Sequence, residues 1–526
     1  MDSDVARCSP LSPTPSAAGG DDLLPPTAPS AAVPWWAMRD SHTASVAGMA
    51  PWSAVVVAVS ATLGAGCSPS PAFRDGGVLT DVVDAGITLD AACLSGEGAS
   101  TGPWLRCAGG TGIDRALAVA TAADGDLYVG GVVGPSPRFG DQTATITEGF
   151  PQDAFVARYS REGALRWVRT FGSTQRSNQE HSESVVALAV DPNGGVYALG
   201  RLLADAHCGD GVVLGRAPPP LGQAEIYSYV ARFGPDGRCQ WAQRDVGQAL
   251  RPGNLGVDAV GNVYLSGGAA LRPDGTRLTL PNASAERGGV AVAVHPDGSA
   301  TFATSSGGST AAPGAVVHTG PDGAPRWRRV VRVLRVGAFV TMHLVAVGAG
   351  GTVLAHGVAP PGESLDFGDG VTLQTTQEQV GFAVVYDAAG TALRAYRVTG
   401  GGGAPDHSYS AFSPDGELVV GYFFRGALTL DADTTLRAAR STASEAFFAR
   451  YGTDGRVRWV ERMASDDPED FIHVNVAGLA VDSFGDAIAV GYTTQGFAWR
   501  GMPVGRLGEA GHGLGTIFVA KAPGAR

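Results

Sequence analysis

Two histidines, His343 and His356, bracket the stretch HLVAVGAGGTVLAH and lie equally far from the Ala349–Gly350 step at its centre. A regular two-residue hairpin reversing at that step sets residues directly opposite one another across an antiparallel ladder. Two imidazoles facing each other in this way would begin a metal site, but zinc asks for further ligands and the stretch supplies none. Other residues able to do chemistry sit in three polar segments: STQRSNQEHSES from Ser173, GGGGAPDHSYS from Gly400 and ASDDPEDF from Ala464. Their carboxylates and imidazoles are Glu180, His181, Asp406, His407, Asp466, Asp467 and Asp470. Grouped carboxylates suit a hard cation such as calcium, which collects several oxygens, so His343, His356, Asp466, Asp467 and Asp470 are the candidate metal ligands. Glu180, His181, Asp406 and His407 are the candidate binding face, since ligand sites gather where loops converge on a rigid scaffold. Solvated loops are polar without any such role. The chain has no His-Glu-x-x-His and no phosphate loop; no catalytic residue is expected, and no cofactor beyond calcium is considered.

Composition narrows the partners. The 526 residues carry 38 Lys and Arg against 50 Asp and Glu, a formal charge of −12, and Lys521 is the sole lysine. No run of basic residues offers a phosphate-binding face, which argues against nucleic acid. The 76 glycines and 17% charged residues suit many tight turns between half-buried strands. Six cysteines are present. If Cys8 and Cys67 lie apart from the folded body, the even remainder Cys93, Cys107, Cys208 and Cys239 suggests two disulfides in an exported chain, paired by proximity as Cys93–Cys107 and Cys208–Cys239. Free buried thiols are the alternative.

The elements that must position these residues are written as two alternating phrases. The first is an apolar run, a Gly turn and a second apolar run: ALAVATAADGDLYVGGVV from Ala116, VALAVDPNGGVYALGRLL from Val186, NLGVDAVGNVYLSGGAA from Asn254, and further copies from His343, Ser408 and Val476. The second is DAFVARYSREGALRWVRTF from Asp153, which returns as EAFFARYGTDGRVRWVERM from Glu445 and, less closely, from Ser228, Gly314 and Gly381. Each phrase alternates with period two around a turn such as DPNG, GPDG or GTDG, which predicts a β-hairpin. A pair of phrases gives four strands, the content of one propeller blade. Trp167, Trp241, Trp327 and Trp459 hold equivalent places and are expected to pack between blades. GPWLRCAGG around Trp104 matches only the second half of a phrase, and GTIFVAKAPGAR at the other end only the first half. The fold expected is therefore all-β, a propeller of six four-stranded blades closed by pairing of the N- and C-terminal strands. An inserted hairpin, GVAVAVHPDGSATFATSS from Gly289, makes seven the alternative count.

The alternating phrases resemble the SBBP-type β-propeller repeats of bacterial secreted proteins over about residues 102–523, with Tyr396 standing where that pattern has Trp. That resemblance implies a fold and an exported location but no common activity. Upstream, the apolar run Ala54–Leu63 after Arg39 has the length of a signal-peptide core, and the small residues before Cys67 resemble the lipobox of bacterial lipoproteins, with Gly64 where that family has leucine. The resemblance implies cleavage before Cys67 and lipidation of its thiol. Residues 1–37 read as a disordered leader ahead of a start at Met38, 38–66 as the signal peptide, 67–101 as a lipidated cysteine and flexible linker, and 102–526 as the propeller. The expectation is a monomeric, lipid-anchored binding or interaction module of the cell envelope, at the outer membrane, meeting an envelope protein or glycan. Simple secretion is the alternative address, and a propeller lyase, glycoside hydrolase or quinoprotein-like enzyme the alternative function.

Overall fold

The computed structural model describes residues 102–146, 152–173, 183–203, 206–213, 226–244, 254–282, 289–304, 314–333, 340–375, 380–398, 409–438, 445–464, 474–494, 496–504 and 515–524. All belong to one unit of the chain, Asp81–Arg526. The calls on Cys67, on residues 1–101 and on the three polar loops fall outside the described residues. Within them the chain is all-β; its helical content is one 3-10 turn, Ala349–Gly351.

The described strands make seven main antiparallel sheets. The first contains Arg115–Thr121, Leu127–Val133, Asp153–Tyr159 and Leu165–Phe171; the second Ser184–Val190, Val196–Leu203, Ile226–Phe233 and Cys239–Arg244. The third is shorter, with Leu255–Val257, Val263–Leu265 and Ala270–Leu271, and its fourth strand is reduced to the bridge Leu271↔Arg277. The fourth holds Ala291–Val294, Ala300–Thr304, Ala315–Thr319 and Pro325–Val330; the fifth Thr341–Val347, Val353–Ala359, Val380–Tyr386 and Ala392–Arg397. The sixth holds Tyr409–Phe412, Leu418–Phe424, Glu445–Tyr451 and Val457–Met463. In the seventh, Val474–Val481, Ala487–Thr493 and Thr516–Ala522 are followed by Trp104–Gly109 from the other end of the described chain. Six sheets with one insertion therefore gives way to seven: the hairpin from Gly289 joins the phrase from Gly314 in a sheet of its own, and the phrase from Asn254 heads another.

The half-phrases at the two ends meet as expected. Trp104 stands opposite Lys521 and Cys107 opposite Phe518, five pairs in all. The pairing flanks the Thr516–Ala522 strand on both sides and makes Trp104–Gly109 the outer of the sheet's four main strands.

A sheet apolar on both faces must cover both, and seven buried clusters do this between successive sheets. Phe171, Tyr229 and Phe233 pack between the first and second sheets; Trp104, Phe155 and Ile517 pack between the seventh and first. The first strands of the seven sheets lie against one another in chain order, and the seventh against the first.

A polar clamp reinforces four of these seven contacts. Trp167 donates its indole N–H to Pro235 O at 2.9 Å, and Arg169 Nε reaches Gly237 O at 3.0 Å, so the fourth strand of one sheet grips the last turn of the next. Trp241 and Gln243 grip Pro273 and Gly275 in the same way, Trp327 and Arg329 grip Ala388 and Gly390, and Trp104 and Arg106 grip Arg161 and Gly163. The glycine has two reasons to be there: Gly237 has φ +80, and a Cβ on it would lie 2.8 Å from the Trp167 ring. Trp459 fits the expectation only in part. Its ring packs on Phe448, but its N–H donates to nothing, because the seventh sheet takes its fourth strand from the N-terminal segment and has no last turn to grip.

Tyr396 marks the weak clamp. Its ring lies against Gly455, its hydroxyl reaches no carbonyl of that turn, and Val398 stands where the other sheets have Arg or Gln. Tyr396→Trp combined with Val398→Arg is expected to add two hydrogen bonds between the fifth and sixth sheets, worth about 1–2 kcal/mol in all. The guanidinium midpoint should rise; an unchanged or lower midpoint would mean that apolar packing alone holds these sheets together.

Candidate functional site

The two histidines of the opening hairpin do not face each other. The turn spans Gly348–Thr352, longer than two residues, so Val347 pairs with Val353 and Leu344 with His356. His343 is then the extra residue of a bulge between Met342 and Leu344. His356 is fully buried, and burial, followed by the nearby His343, lowers its pKa to about 3. A neutral imidazole is the form a metal binds. Among the described residues, however, no three His, Cys, Asp or Glu side chains group to hold an ion. Glu180, His181, Asp406, His407, Asp466, Asp467 and Asp470 lie outside the described residues.

What flanks the first polar segment is described, and it is acidic and buried. Glu183 and Asp153 are both fully buried, and a Cβ on Gly172 would fall 2.3 Å from Glu183 Oε2 and 2.5 Å from Asp153 Oδ1. Only glycine leaves room where these carboxyls meet. Ser173 N donates to Glu183 Oε1 at 2.8 Å, which fixes the end of the first sheet against the start of the second. Asp114 enters the first sheet at the place where Glu183 enters the second. It accepts the backbone N–H groups of Gly110 and Gly134 at 2.9 Å each, and burial outweighs these bonds to raise its pKa to about 7. Its folded pKa exceeds the unfolded value, so its protonated form stabilises the fold at low pH, and that contribution is lost as pH rises from about 4 to about 7. At the start of the third sheet, Asn254 is fully buried and neither of its amide atoms is hydrogen-bonded.

The cysteines divide as expected where they can be seen. Cys208 and Cys239 are joined. Cys208 sits on a short hairpin, His207–Gly209 with Val212–Val213, between the second and third strands of its sheet, and Cys239 opens the fourth strand. Asp210 in that hairpin also accepts the Cys239 N–H at 3.0 Å. The fifth and sixth sheets make the same backbone contact without a disulfide, Ala392 N to Asp369 and Val457 N to Asp431. Cys107 is disulfide-bonded too, to a partner outside the described residues, as is the Cys93 half of the pairing expected for it.

An ion pair between the first turn and the third strand ties the two hairpins of three sheets together, at matching positions in the second and seventh and with the acid two residues further along the turn in the sixth. In the second sheet Asp191 holds Arg232 at 2.6 Å, in the sixth Asp415 holds Arg450 at 2.9 Å, and in the seventh Asp482 holds Lys521 at 3.0 Å. The fourth sheet differs. There His295 Nε2 and His318 Nδ1 lie 3.2 and 3.0 Å from one hydroxyl, that of the fully buried Thr301. His318 also stacks on Trp327 with ring centres 5.3 Å apart. Sequence reading missed this group because its members belong to different phrases; its one signal is His295, where VAVHPDG replaces the AVD of the sibling turns. Chemically these arrangements hold sheets together; the one hydroxyl beside imidazoles among them, that of Thr301, is fully buried between strands.

No family model matches the chain, and no curated protein matches it. Several solved structures do at low similarity. Virginiamycin B lyase from Staphylococcus aureus is 9% identical, over 78% of this chain and 94% of that one, with a TM-score of 0.35. An ulvan lyase, a polysaccharide lyase, is 12% identical over 73% and 82%, at 0.28. A gluconolactonase from Xanthomonas campestris is 16% identical over 51% and 85%, at 0.25. At these scores the likeness bears on neither the fold nor the activity of this chain.

Proposed function

We propose that residues 102–526 form a closed seven-bladed β-propeller, exported and anchored through lipid on Cys67, which binds an envelope protein or glycan through loops at one end of the ring. The observation that carries this reading is the seventh sheet. Its last strand comes from near residue 104 and its third from near residue 518, and its first strand lies against that of the first sheet. Seven consecutive apolar interfaces, four of them with clamps of one kind, support the ring, since a propeller blade needs a neighbour on each face. The Cys208–Cys239 bond supports export, because such bonds persist outside the reducing cytosol. In a ring of this kind the connections into each first strand share one end with those between the second and third strands. The segments around 174–182, 399–408 and 465–473 would then emerge together, with Glu180, His181, Asp406 and His407 as the binding face.

The anchor is tested by labelling cells with a palmitate probe while they express the full chain. Label is expected on the wild type and absent from Cys67→Ala, which should leave the membrane fraction; an unlabelled wild type, or label surviving in the variant, rules the anchor out. The binding face is tested by replacing the three segments with Gly-Ser runs of equal length. Capture of a reproducible partner set from envelope extract should be lost, and undiminished capture would move the function elsewhere on the ring.

A further inference from the structure

The fourth sheet places two imidazoles where the second and seventh sheets place opposite charges. Arg232 stands across from Tyr197, Lys521 across from Ile488 and His318 across from Thr301. Each of these partners lies six residues beyond the turn residue, Asp191, Asp482 or His295, that completes the pair. The register is the same, and only the chemistry changes. We propose that the fourth sheet is an acid-sensitive element: protonation of His295 and His318 loosens the 291–330 sheet while the sheets held by Asp–Arg and Asp–Lys pairs stay closed.

The geometry supplies the reason. A threonine hydroxyl has one proton to give, so Thr301 can donate to one imidazole nitrogen and accept from the other only while one of the two is unprotonated. Once both rings are imidazolium, both contact nitrogens are donors, and the Thr301 proton loses its acceptor inside a buried site. Two like charges then sit with ring centres 4.9 Å apart.

The charged and titratable surroundings do not offset this. Asp297 in the same turn favours the charged rings, while Arg326 on the fourth strand opposes them. From the third sheet, Asp258 and Tyr264 approach the turn at Gly298, but Asp258 already accepts bonds from Tyr264, Asn262 and Val260. From the fifth sheet, Tyr386 packs behind Trp327. Burial is the largest influence on both rings and lowers both pKa values, that of His318 to about 4. A histidine whose folded pKa is lowered contributes stability that is present above the unfolded value, about 6.5, and is lost as pH falls toward the folded one.

Hydrogen exchange followed by mass spectrometry on the full chain tests the proposal, with rates corrected for intrinsic pH dependence. Between about pH 7 and about pH 4.5, protection of peptides within 291–330 should fall about 30-fold more than that of peptides from the second and sixth sheets. Asp114 titrates with the opposite sign and adjoins the first sheet, so that sheet is not the reference. His295→Asp with His318→Arg restores the sibling pair and should abolish the excess loss. Equal loss in all three sheets, or the same excess in the double variant, overturns the proposal. Should that variant fail to fold, imidazole NMR titration of the wild type decides, with the His295 and His318 rings assigned apart from the buried His356: both protonating well below about pH 6 sustain it, and either one titrating at or above that pH overturns it.

Discussion

Lys521→Met should lower the unfolding free energy by about 3–5 kcal/mol, because it leaves buried carboxylates without their cation. The ammonium of Lys521 lies 3.0 Å from Asp482 Oδ2, 3.0 Å from Asp486 Oδ2 and 3.2 Å from Arg161 O, so all three of its protons are engaged. Its side chain is 3% exposed and that of Asp482 fully buried. Two of these partners belong to the turn of its own sheet and the third to the last turn of the first sheet, so one side chain bonds across the seam that joins the ends of the chain. Arg161, 3.4 Å from Asp486, compensates only part of the loss. Adding Asp482→Asn to Lys521→Met should recover a substantial share, because the cost lies in the stranded charge more than in the lost attraction. A single variant within about 0.5 kcal/mol of wild type would show the seam to be held by strand pairing and apolar contact alone. Being the sole lysine, Lys521 also reports directly. A brief pulse of amine-reactive reagent should leave it unmodified in the native protein and modify it when the seventh sheet opens, at a denaturant concentration that can be compared with that of global unfolding.

The same seam shows what can be read from residues alone. The strands of Trp104 and Phe518 were legible as partners because each lies in half of a phrase whose complete form is spelled out elsewhere, and a strand phrase is a local pattern of period two. The turns were legible for the same reason: glycine at a positive φ has few substitutes. Register was not legible. His343 and His356 looked symmetrical about Ala349–Gly350, but the five-residue turn and the bulge depend on cross-strand packing that a single hairpin does not encode. The sheet count failed where strands shrink, since Leu255–Val257 and Ala270–Leu271 are too short to show an alternation. The clamp was half visible. Trp167, Trp241 and Trp327 announced themselves, but Arg169, Gln243 and Arg329 read as ordinary edge-strand polar residues until the carbonyl each one grips was known. Asp114, Asp153, Glu183 and His318 carry no local mark, because the partners that give them meaning come from other strands or the next sheet, and His295 shows only as a departure from the AVD of the sibling turns.

Cys208→Ala with Cys239→Ala should cost about 3–4 kcal/mol, the loop-closure value for the 31-residue separation between the two cysteines. The bond fastens the His207–Gly209 hairpin to the fourth strand of the second sheet, and through the bridge from His207 to Gly172 it reaches the first sheet as well. The native arrangement should survive without it, since Asp210 still accepts the residue-239 N–H, the contact that suffices in the fifth and sixth sheets. The loss should therefore fall on the unfolded state, leaving far-ultraviolet circular dichroism unchanged and lowering the denaturation midpoint. Chain prepared in a reducing cytosol should behave like the double variant, and chain exported to an oxidising compartment should be the more stable of the two. Because Cys107 carries a disulfide of its own, chemical reduction removes more than this bond, and only the double variant isolates it. If the variant and the oxidised wild type unfold at the same midpoint, the bond does not stabilise the ring. If wild type purified from an oxidising compartment shows free thiols at Cys208 and Cys239, the strongest support for export is gone.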